Sequence, residues 1–288
     1  MKFFVLGCNG MAGHTIALYL QERGHEVLGF DRRESTLINS IAGDARDTVS
    51  LAKIIKERNF DTVINCIGIL NQFAENDHEL AAFLNSYFPH FLVKATKGMD
   101  TQVIHMTTDC VFSGKKGGYS EHDLPDGETF YDRSKALGEI DDEKNLSLRN
   151  SIVGPDINIK GIGLLNWFME NTTGEAPVVN GFTKAKWTGQ TTFQLAKTME
   201  VAAKVRAHGL INAVPDTSIS KYDLLCLFNK YLRRDKVTIN PIEGVNADKS
   251  LKRTNWNFEY KIPGYETMVR EMSEWIYKHK DLYPHYNL

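Results

Sequence analysis

Apolar positions along the chain fall into two alternating kinds of run. Short, nearly unbroken ones (KFFVLG, HEVLGF, DTVINCIG, TQVIHM, NLSLRNSIVG) are separated by longer stretches whose apolar residues recur at helical spacing. In MAGHTIALYLQERG the residues Met11, Ile16, Leu18 and Leu20 follow that spacing, and Gly24 supplies a stop. SLAKIIKERN is amphipathic, HELAAFLNSYFPHFLVKATKG predicts a long helix interrupted at Pro89, and a Gly-rich loop, SGKKGGYSEHDLPDGE, leads into a helix around YDRSKALGE. Strands apolar on both faces, joined by helices of about 10–20 residues, imply crossover units and a buried parallel sheet. The second half is less regular. GIGLLNWFMEN, GQTTFQLAKTMEVAAKV, SKYDLLCLFNKYL and GYETMVREMSEWIYKH read as helices, and APVV, GLINAV and KVTINPI as short strands.

Composition narrows the class. The 288 residues are 42% hydrophobic and 24% charged with a net charge of −2, which gives no basic footprint for nucleic acid. No apolar run approaches the ~20 residues of a membrane helix. Met1 to Leu6 begins like a signal peptide but breaks at Gly7-Cys8-Asn9-Gly10, so it reads as a buried strand of a cytoplasmic protein. Cys8, Cys66, Cys110 and Cys226 show no paired spacing and the nine histidines are dispersed, so neither a disulfide framework nor a metal site is expected.

The chemistry gathers at strand ends. Gly7-Cys8-Asn9-Gly10-Met11-Ala12-Gly13 is G-x-x-G-x-x-G at the first strand–helix junction. One glycine makes the turn, one admits a pyrophosphate, one lets helix and strand pack, and the phosphates meet the helix N-terminus. Asn9 and Met11 lie within that loop. The second strand ends at Asp31-Arg32-Arg33, where a carboxylate suits the ribose hydroxyls of NAD and an arginine the extra phosphate of NADP; the two point in opposite directions. Asp44 and Ala45 end the third strand, where an acid can meet the adenine amine, although Asp44 or Asp47 can equally cap the helix that follows. Cys66, Ile67 and Gly68 end the next strand with residues small enough for close packing of an adenosine. Tyr131-Asp132-Arg133-Ser134-Lys135 places a phenol and an ammonium four apart, on one helix face. A fixed ammonium can lower a phenol's pKa from ~10 and make it an acid–base group at neutral pH.

GCNGMAG, NCIG, NSYFP, TTDCVFSG, YDRSK with KALGE, and LRNSIVGP together resemble the extended short-chain dehydrogenase/reductases, and most closely the dTDP-4-dehydrorhamnose reductase family. The resemblance spans essentially the whole chain and is strongest through residue 155. It implies an α/β fold: a Rossmann-type, doubly wound parallel sheet with a smaller C-terminal substrate-binding domain. The dinucleotide-binding part would be 1–152 with returns near 184–216, and the sugar-nucleotide part 153–183 and 217–288. By motif, Thr108 would hydrogen-bond a sugar carbonyl, Tyr131 would donate the proton, and Lys135 would activate it and hold the nicotinamide ribose. Asp109 and Cys110 would contact substrate, Val111 and Phe112 would line the sugar pocket, and Asn85 sits where the family places a helix asparagine, or else marks a kink before Pro89. Trp187 or Trp167 would stack a base or sugar. Arg149 would bind phosphate or pair with an acid.

The resemblance further implies NADP(H), with NAD(H) as the other choice, and a nucleotide-activated 4-keto sugar as substrate in surface-polysaccharide synthesis, with a homodimer left open. Sugar-nucleotide dehydratases carry Thr-Asp-Glu where this chain has Thr108-Asp109-Cys110, so the base a dehydratase needs is missing. A cysteine at that place resembles GDP-fucose synthase, which makes an epimerase–reductase the alternative. No histidine lies between Arg149 and His208 to partner it, and Lys160, Lys184 and Lys186 are the substitutes at hand. A non-catalytic regulatory subunit of the same family is the third reading, opposed by the intact Thr108, Tyr131 and Lys135.

Overall fold

The computed structural model describes residues 1–244, 247–255 and 257–288. Six strands come from the first half: β1 (Lys2–Leu6), β2 (Glu26–Asp31), β3 (Ser40–Ala42), β4 (Thr62–Asn65), β5 (Gln102–Thr107) and β6 (Leu146–Arg149). The helices among them are α1 (Met11–Glu22), α2 (Thr48–Arg58), α3 (Asn71–Asn76), α4 (His78–Ala81), α5 (Phe88–Ala95) and α6 (Phe130–Leu137). The second half adds β7 (Ser151–Val153), α7 (Leu164–Asn171), β8 (Val178–Phe182), β9 (Lys186–Trp187), β10 (Gly189–Thr191), α8 (Thr192–Val205), β11 (Gly209–Asn212), β12 (Ile219–Ser220), α9 (Lys221–Phe228), β13 (Thr238–Ile242) and α10 (Tyr265–Lys278).

Seven strands form one sheet in the order β11-β6-β5-β4-β1-β2-β3, every neighbouring pair parallel. The two faces follow from strand alternation. Phe3 and Val5 of β1 join Ile64, Ile104 and Leu148 in a core shared with α1 and α8. Phe4 and Leu6 point the other way and pack with Val63 and Val103 against α2 and α5. Both faces are covered, so the strands are apolar throughout, as their sequence implied. The order runs outward from β1 to β3 and then restarts at β4 on the other side of β1. That reversal opens a crevice at the carboxyl ends of β1 and β4, where such sheets hold their ligands.

Two elements differ from the sequence reading. NLSLRNSIVG is not one strand: β6 stays in the main sheet, while β7 leaves it at Asn150 to pair with β10. The long helix is interrupted just ahead of Pro89 rather than at it. It passes through a π-turn, Ala82–Tyr87, and Pro89 opens the next α-helical turn. Proline has no N–H to give the carbonyl four residues back, so the Asn85 carbonyl is released and the helix absorbs the mismatch as a wider turn. Gly138 packs on that carbonyl so closely that a Cβ there would lie 1.8 Å from the Asn85 oxygen. β8 and β13 form a separate parallel pair, and with α7, α9 and α10 they build the part of the molecule beyond the main sheet.

Candidate functional site

The glycine loop sits at the mouth of the crevice. Gly7 has φ +79°, a left-handed conformation suited to glycine, and its N–H donates to the Phe30 carbonyl at 2.8 Å. A Cβ on Gly13 would lie 2.0 Å from the Gly7 oxygen, so only glycine lets α1 start this close to β1. No side chain caps α1, and its first N–H groups are left for a ligand at the positive end of the helix dipole. Asp31 braces the loop: one carboxylate oxygen accepts from the Asn9 N–H at 3.0 Å and the other from the Arg32 N–H at 2.7 Å. The cavity in front is about 340 Å³ and is lined by Gly7, Gly10, Asp31, Arg32, Asp44, Ala45, Arg46, Cys66, Ile67 and Gly68, among others. This cradle fits a dinucleotide. Nine of the cofactor positions read from sequence therefore line one cavity or stand at its mouth. Between the two acids, Asp47 caps α2 by accepting from the Ser50 N–H at 3.1 Å, while Asp44 turns to the cavity and pairs with Arg46. Met11 points elsewhere, towards Gly163, and the Asn9 carbonyl accepts from the Asn158 amide at 3.2 Å.

The second half of the site lies where β5 ends. Thr108 caps a short 3₁₀ turn, Asp109–Val111, its Oγ1 accepting from the Cys110 N–H at 3.1 Å. Opposite it, Thr129 and Asp132 form a reciprocal capping box that starts α6 and sets Tyr131 and Lys135 on its inner face. The Tyr131 N–H donates to Glu75 at 2.9 Å. Lys135 donates to the Met106 carbonyl at 3.0 Å, and its Nζ lies 3.9 Å from where a Cβ on Gly68 would be. Helix α6 thus brings Lys135 to Gly68 on the wall of the glycine-lined cavity, and Tyr131 to the Thr108 hydroxyl at the end of β5.

Burial sets the protonation states. Tyr131 and Lys135 are only 6% and 5% exposed. Desolvation pushes the phenol well up, Cys110 and Asp109 push it further, and the Thr108 hydroxyl hydrogen-bonding to it works the other way. Lys135 turns its ammonium to the Met106 carbonyl, and burial lowers it to about 8 against the pull of Glu139. Burial outweighs the groups that lower the phenol, and Tyr131 is held protonated. Desolvation also raises Asp109 to about 6, opposed chiefly by Lys249, and raises Cys110 to about 11 with Asp109 adding to the rise.

Four residues assigned to substrate from sequence are turned inward. Val111 and Phe112 have no exposed surface; Phe112 is sandwiched between Tyr119, at 4.1 Å, and the Arg149 guanidinium, at 4.9 Å. Asn85 is fully buried, its amide exchanging hydrogen bonds with the Ile69 N–H and C=O at 2.9 and 3.0 Å and donating to Ser134 at 3.1 Å. It ties the loop after β4 to α6. Trp187 is 8% exposed in the main core, its ring beside Tyr265. Trp167, in contrast, is 40% exposed and borders a groove of about 590 Å³ with Leu164, Asn171, Asn180, Phe182 and Lys221. Arg149 pairs with Glu139, which settles its two readings in favour of the acid. Sequence reasoning missed Arg46, Glu75, Glu139 and Lys249. Glu139, four residues beyond Lys135, had a readable spacing; Lys249 had none, because only the tertiary fold brings it to β5.

Fold and site together define a Rossmann-type protein of the extended short-chain dehydrogenase/reductase kind. The chain belongs to the family described as RmlD substrate binding domain, whose model matches residues 1–150. It is 33% identical over 143 residues to the probable low-salt glycan biosynthesis reductase Agl14 of Haloferax volcanii, covering 48% of each chain. It is 31% identical over 146 residues to the dTDP-4-dehydrorhamnose reductase of Mycolicibacterium smegmatis, covering 48% of this chain and 40% of that one. The chain spans about half the length of the curated relatives it matches. Among solved structures, dTDP-4-dehydrorhamnose reductase from Bacillus anthracis in complex with NADP superposes with a TM-score of 0.77 at 18% identity, over 94% of this chain and 99% of that one. A hypothetical dTDP-4-dehydrorhamnose reductase from Sulfolobus tokodaii gives 0.73 at 24% identity, over 87% and 92%. At these identities the structures show the shared fold.

Proposed function

We propose that this protein is an NAD(P)H-dependent reductase of a nucleotide-activated 4-keto sugar in glycan synthesis. The observation that carries the reading is that Lys135 reaches Gly68 on the wall of the glycine-lined cavity, while Tyr131, on the same helix, meets the Thr108 hydroxyl. Gly7, Gly10 and Gly13 would hold the dinucleotide phosphates, Asp44 and Ala45 the adenine end, and Lys135 the nicotinamide ribose. NADP(H) is favoured and NAD(H) is the other choice, because Arg32 and Arg46 stand beside Asp31 and Asp44 on the cavity wall; the Bacillus anthracis relative was crystallised with NADP and a Bordetella bronchiseptica neighbour with NAD+. The dinucleotide supplies a hydride when bound.

The chain's own residues do the rest. Thr108 and Tyr131 hydrogen-bond the sugar carbonyl, so negative charge developing on its oxygen meets two donors in a site shielded from water. Tyr131, kept protonated by burial, hands its proton to the alkoxide. Lys135 fixes the ribose and hence the register of the two reacting carbons. Cys110, held as a thiol, is poorly set up to abstract a proton from carbon, which weighs against the epimerase–reductase alternative. The Trp167 groove offers an exposed indole for the nucleoside end.

The deciding experiment is Tyr131→Phe, assayed with NADPH and NADH against a panel of dTDP-, UDP- and GDP-4-keto sugars. Turnover should fall at least a hundredfold, a typical share for general acid–base catalysis, with dinucleotide affinity kept. Near wild-type turnover in the variant, or no turnover by the wild type with any member of the panel, would sink the reading.

A further inference from the structure

One half-buried cation faces the end of β5 without a role in the mechanism above. We infer that Lys249 is an oxyanion-binding residue of the substrate site, meeting an anionic oxygen of the sugar nucleotide beside the Asp109–Cys110 turn. The identity of the ligand rests on the reductase reading; the anion-binding role rests on how Lys249 is placed.

The backbone on either side of Lys249 is pinned. The Asp248 N–H donates to the Gly114 carbonyl at 3.2 Å, and the Lys186 N–H donates to the Ala247 carbonyl at 3.1 Å. The Tyr119 N–H donates to the Ser250 carbonyl at 2.9 Å, the Lys252 N–H to the Tyr119 carbonyl at 2.8 Å, and the Leu251 N–H to the Thr188 hydroxyl at 2.8 Å. This segment is stitched along the loop that follows Thr108-Asp109-Cys110. Gly114, with φ +84°, leaves room for the lysine stem: a Cβ there would lie 3.0 Å from Lys249 Cγ. The stem therefore lies over Gly114 and the head acts on the Asp109–Cys110 turn, where its charge is the opposing cation felt by both buried groups.

The ammonium itself is unspent. Among the described residues no acid or carbonyl hydrogen-bonds or ion-pairs it, a state it shares with the Lys186 and Lys252 side chains, whereas Lys115 pairs with Glu128, Lys116 with Asp123, Arg149 with Glu139 and Lys184 with Glu243. Asp109 does not close on it; its carboxylate accepts from the Thr108 hydroxyl at 3.3 Å. An oxyanion gives an ammonium its strongest charge-assisted hydrogen bond. A sugar nucleotide can present such an oxygen from its diphosphate link or from a carboxylate on the sugar, and Lys249 serves the same chemistry in either case.

The test is calorimetric titration of wild type, Lys249→Met and Lys249→Arg with UDP, dTDP, GDP, UDP-glucose and UDP-glucuronate, and separately with NADPH. At least one nucleotide probe should bind Lys249→Met about tenfold or more weakly, the loss of one charge-assisted contact. Lys249→Arg should restore most of the affinity, binding to the wild type should weaken with added salt, and melting temperature and NADPH affinity should be unchanged. Loss on the plain diphosphates assigns the contact to the diphosphate link, and loss on UDP-glucuronate alone assigns it to a sugar carboxylate; either outcome upholds the inference. If Lys249→Met binds every probe as the wild type does, or the wild type binds none, Lys249 is not an oxyanion site. Failure of the wild type to bind NADPH, with the Lys249→Met loss still present, would remove the reductase reading and leave the anion site standing.

Discussion

Glu139 grips Arg149 through two hydrogen bonds, Nε to Oε1 at 2.8 Å and Nη2 to Oε2 at 2.5 Å, just past the end of the helix that carries Tyr131 and Lys135. Arg149 is 1% exposed. The pair is a junction: Thr107 at the end of β5 donates to Glu139 at 3.1 Å, Asn212 of β11 accepts from Arg149 at 3.5 Å, and the guanidinium covers the Phe112 ring. Removing one partner would leave a buried charge uncompensated. Glu139→Ala should lower stability by about 3–5 kcal/mol in chemical denaturation, and Glu139→Leu/Arg149→Met should recover much of it, since a packed apolar pair needs no desolvation of charge. A double variant as unstable as the single one would show that the hydrogen bonds, not the stranded charge, are what the junction supplies.

Asp109 should make stability fall as pH rises through the acid range. Its folded pKa, raised from 3.8 to about 6 by burial, exceeds the unfolded value. The folded state therefore holds the proton more tightly, and that contribution is complete below pH 4 and lost by the time pH passes 6. The rise corresponds to roughly 3 kcal/mol. Asp109→Asn should be more stable than wild type at pH 7 by up to that amount, with the gap closing towards pH 4. Parallel stability curves for the two proteins between pH 4 and pH 7 would contradict the assignment.

How much of this was legible in the sequence depends on which contacts each feature needs. The strands, the glycine loop and the Tyr131–Lys135 spacing rest on local pattern and appear where the pattern puts them, apart from the strand that divides at Asn150. Residues given a role by motif alone fared less evenly. Val111 and Phe112 follow Thr108 in sequence, yet the 3₁₀ turn at Asp109–Val111 rotates them into a cluster with Tyr119, Val214 and Leu251. The π-turn at Asn85 was hidden because it depends on a missing proline N–H together with a glycine from another helix, residues fifty positions apart. Lys249 was hidden for the same reason: no period or spacing links it to Cys110.

The two tryptophans should separate cleanly. Trp187 fills the core, so Trp187→Ala should cost about 3–5 kcal/mol of stability, the usual range for a buried aromatic. Trp167 is exposed on the groove, and Trp167→Ala should leave the melting temperature within a degree or two. If the groove holds the nucleoside, the same variant should weaken binding of UDP or dTDP severalfold, in line with the ~1 kcal/mol of an aromatic contact. Unchanged nucleotide binding by Trp167→Ala would move the nucleoside away from this groove.

Lys135 gives the dinucleotide site its own pH dependence. Burial lowers its ammonium from 10.5 to about 8. Between those values the unfolded chain holds the proton and the folded chain releases it, so the burial penalty, full below pH 8, fades and stability from this group rises with pH. Binding runs the opposite way. If Lys135 holds the nicotinamide ribose, neutralising it removes a charge-assisted hydrogen bond, and NADPH affinity should fall as pH climbs from 7 to 9.5, by up to about tenfold. Lys135→Met should bind weakly at every pH and show no such slope. Fluorescence titration of NADPH across that range decides the matter. A flat affinity in the wild type would mean that the Lys135 ammonium stays committed to the Met106 carbonyl and never turns to the ribose. An equal slope in both proteins would place the titrating group elsewhere in the cavity.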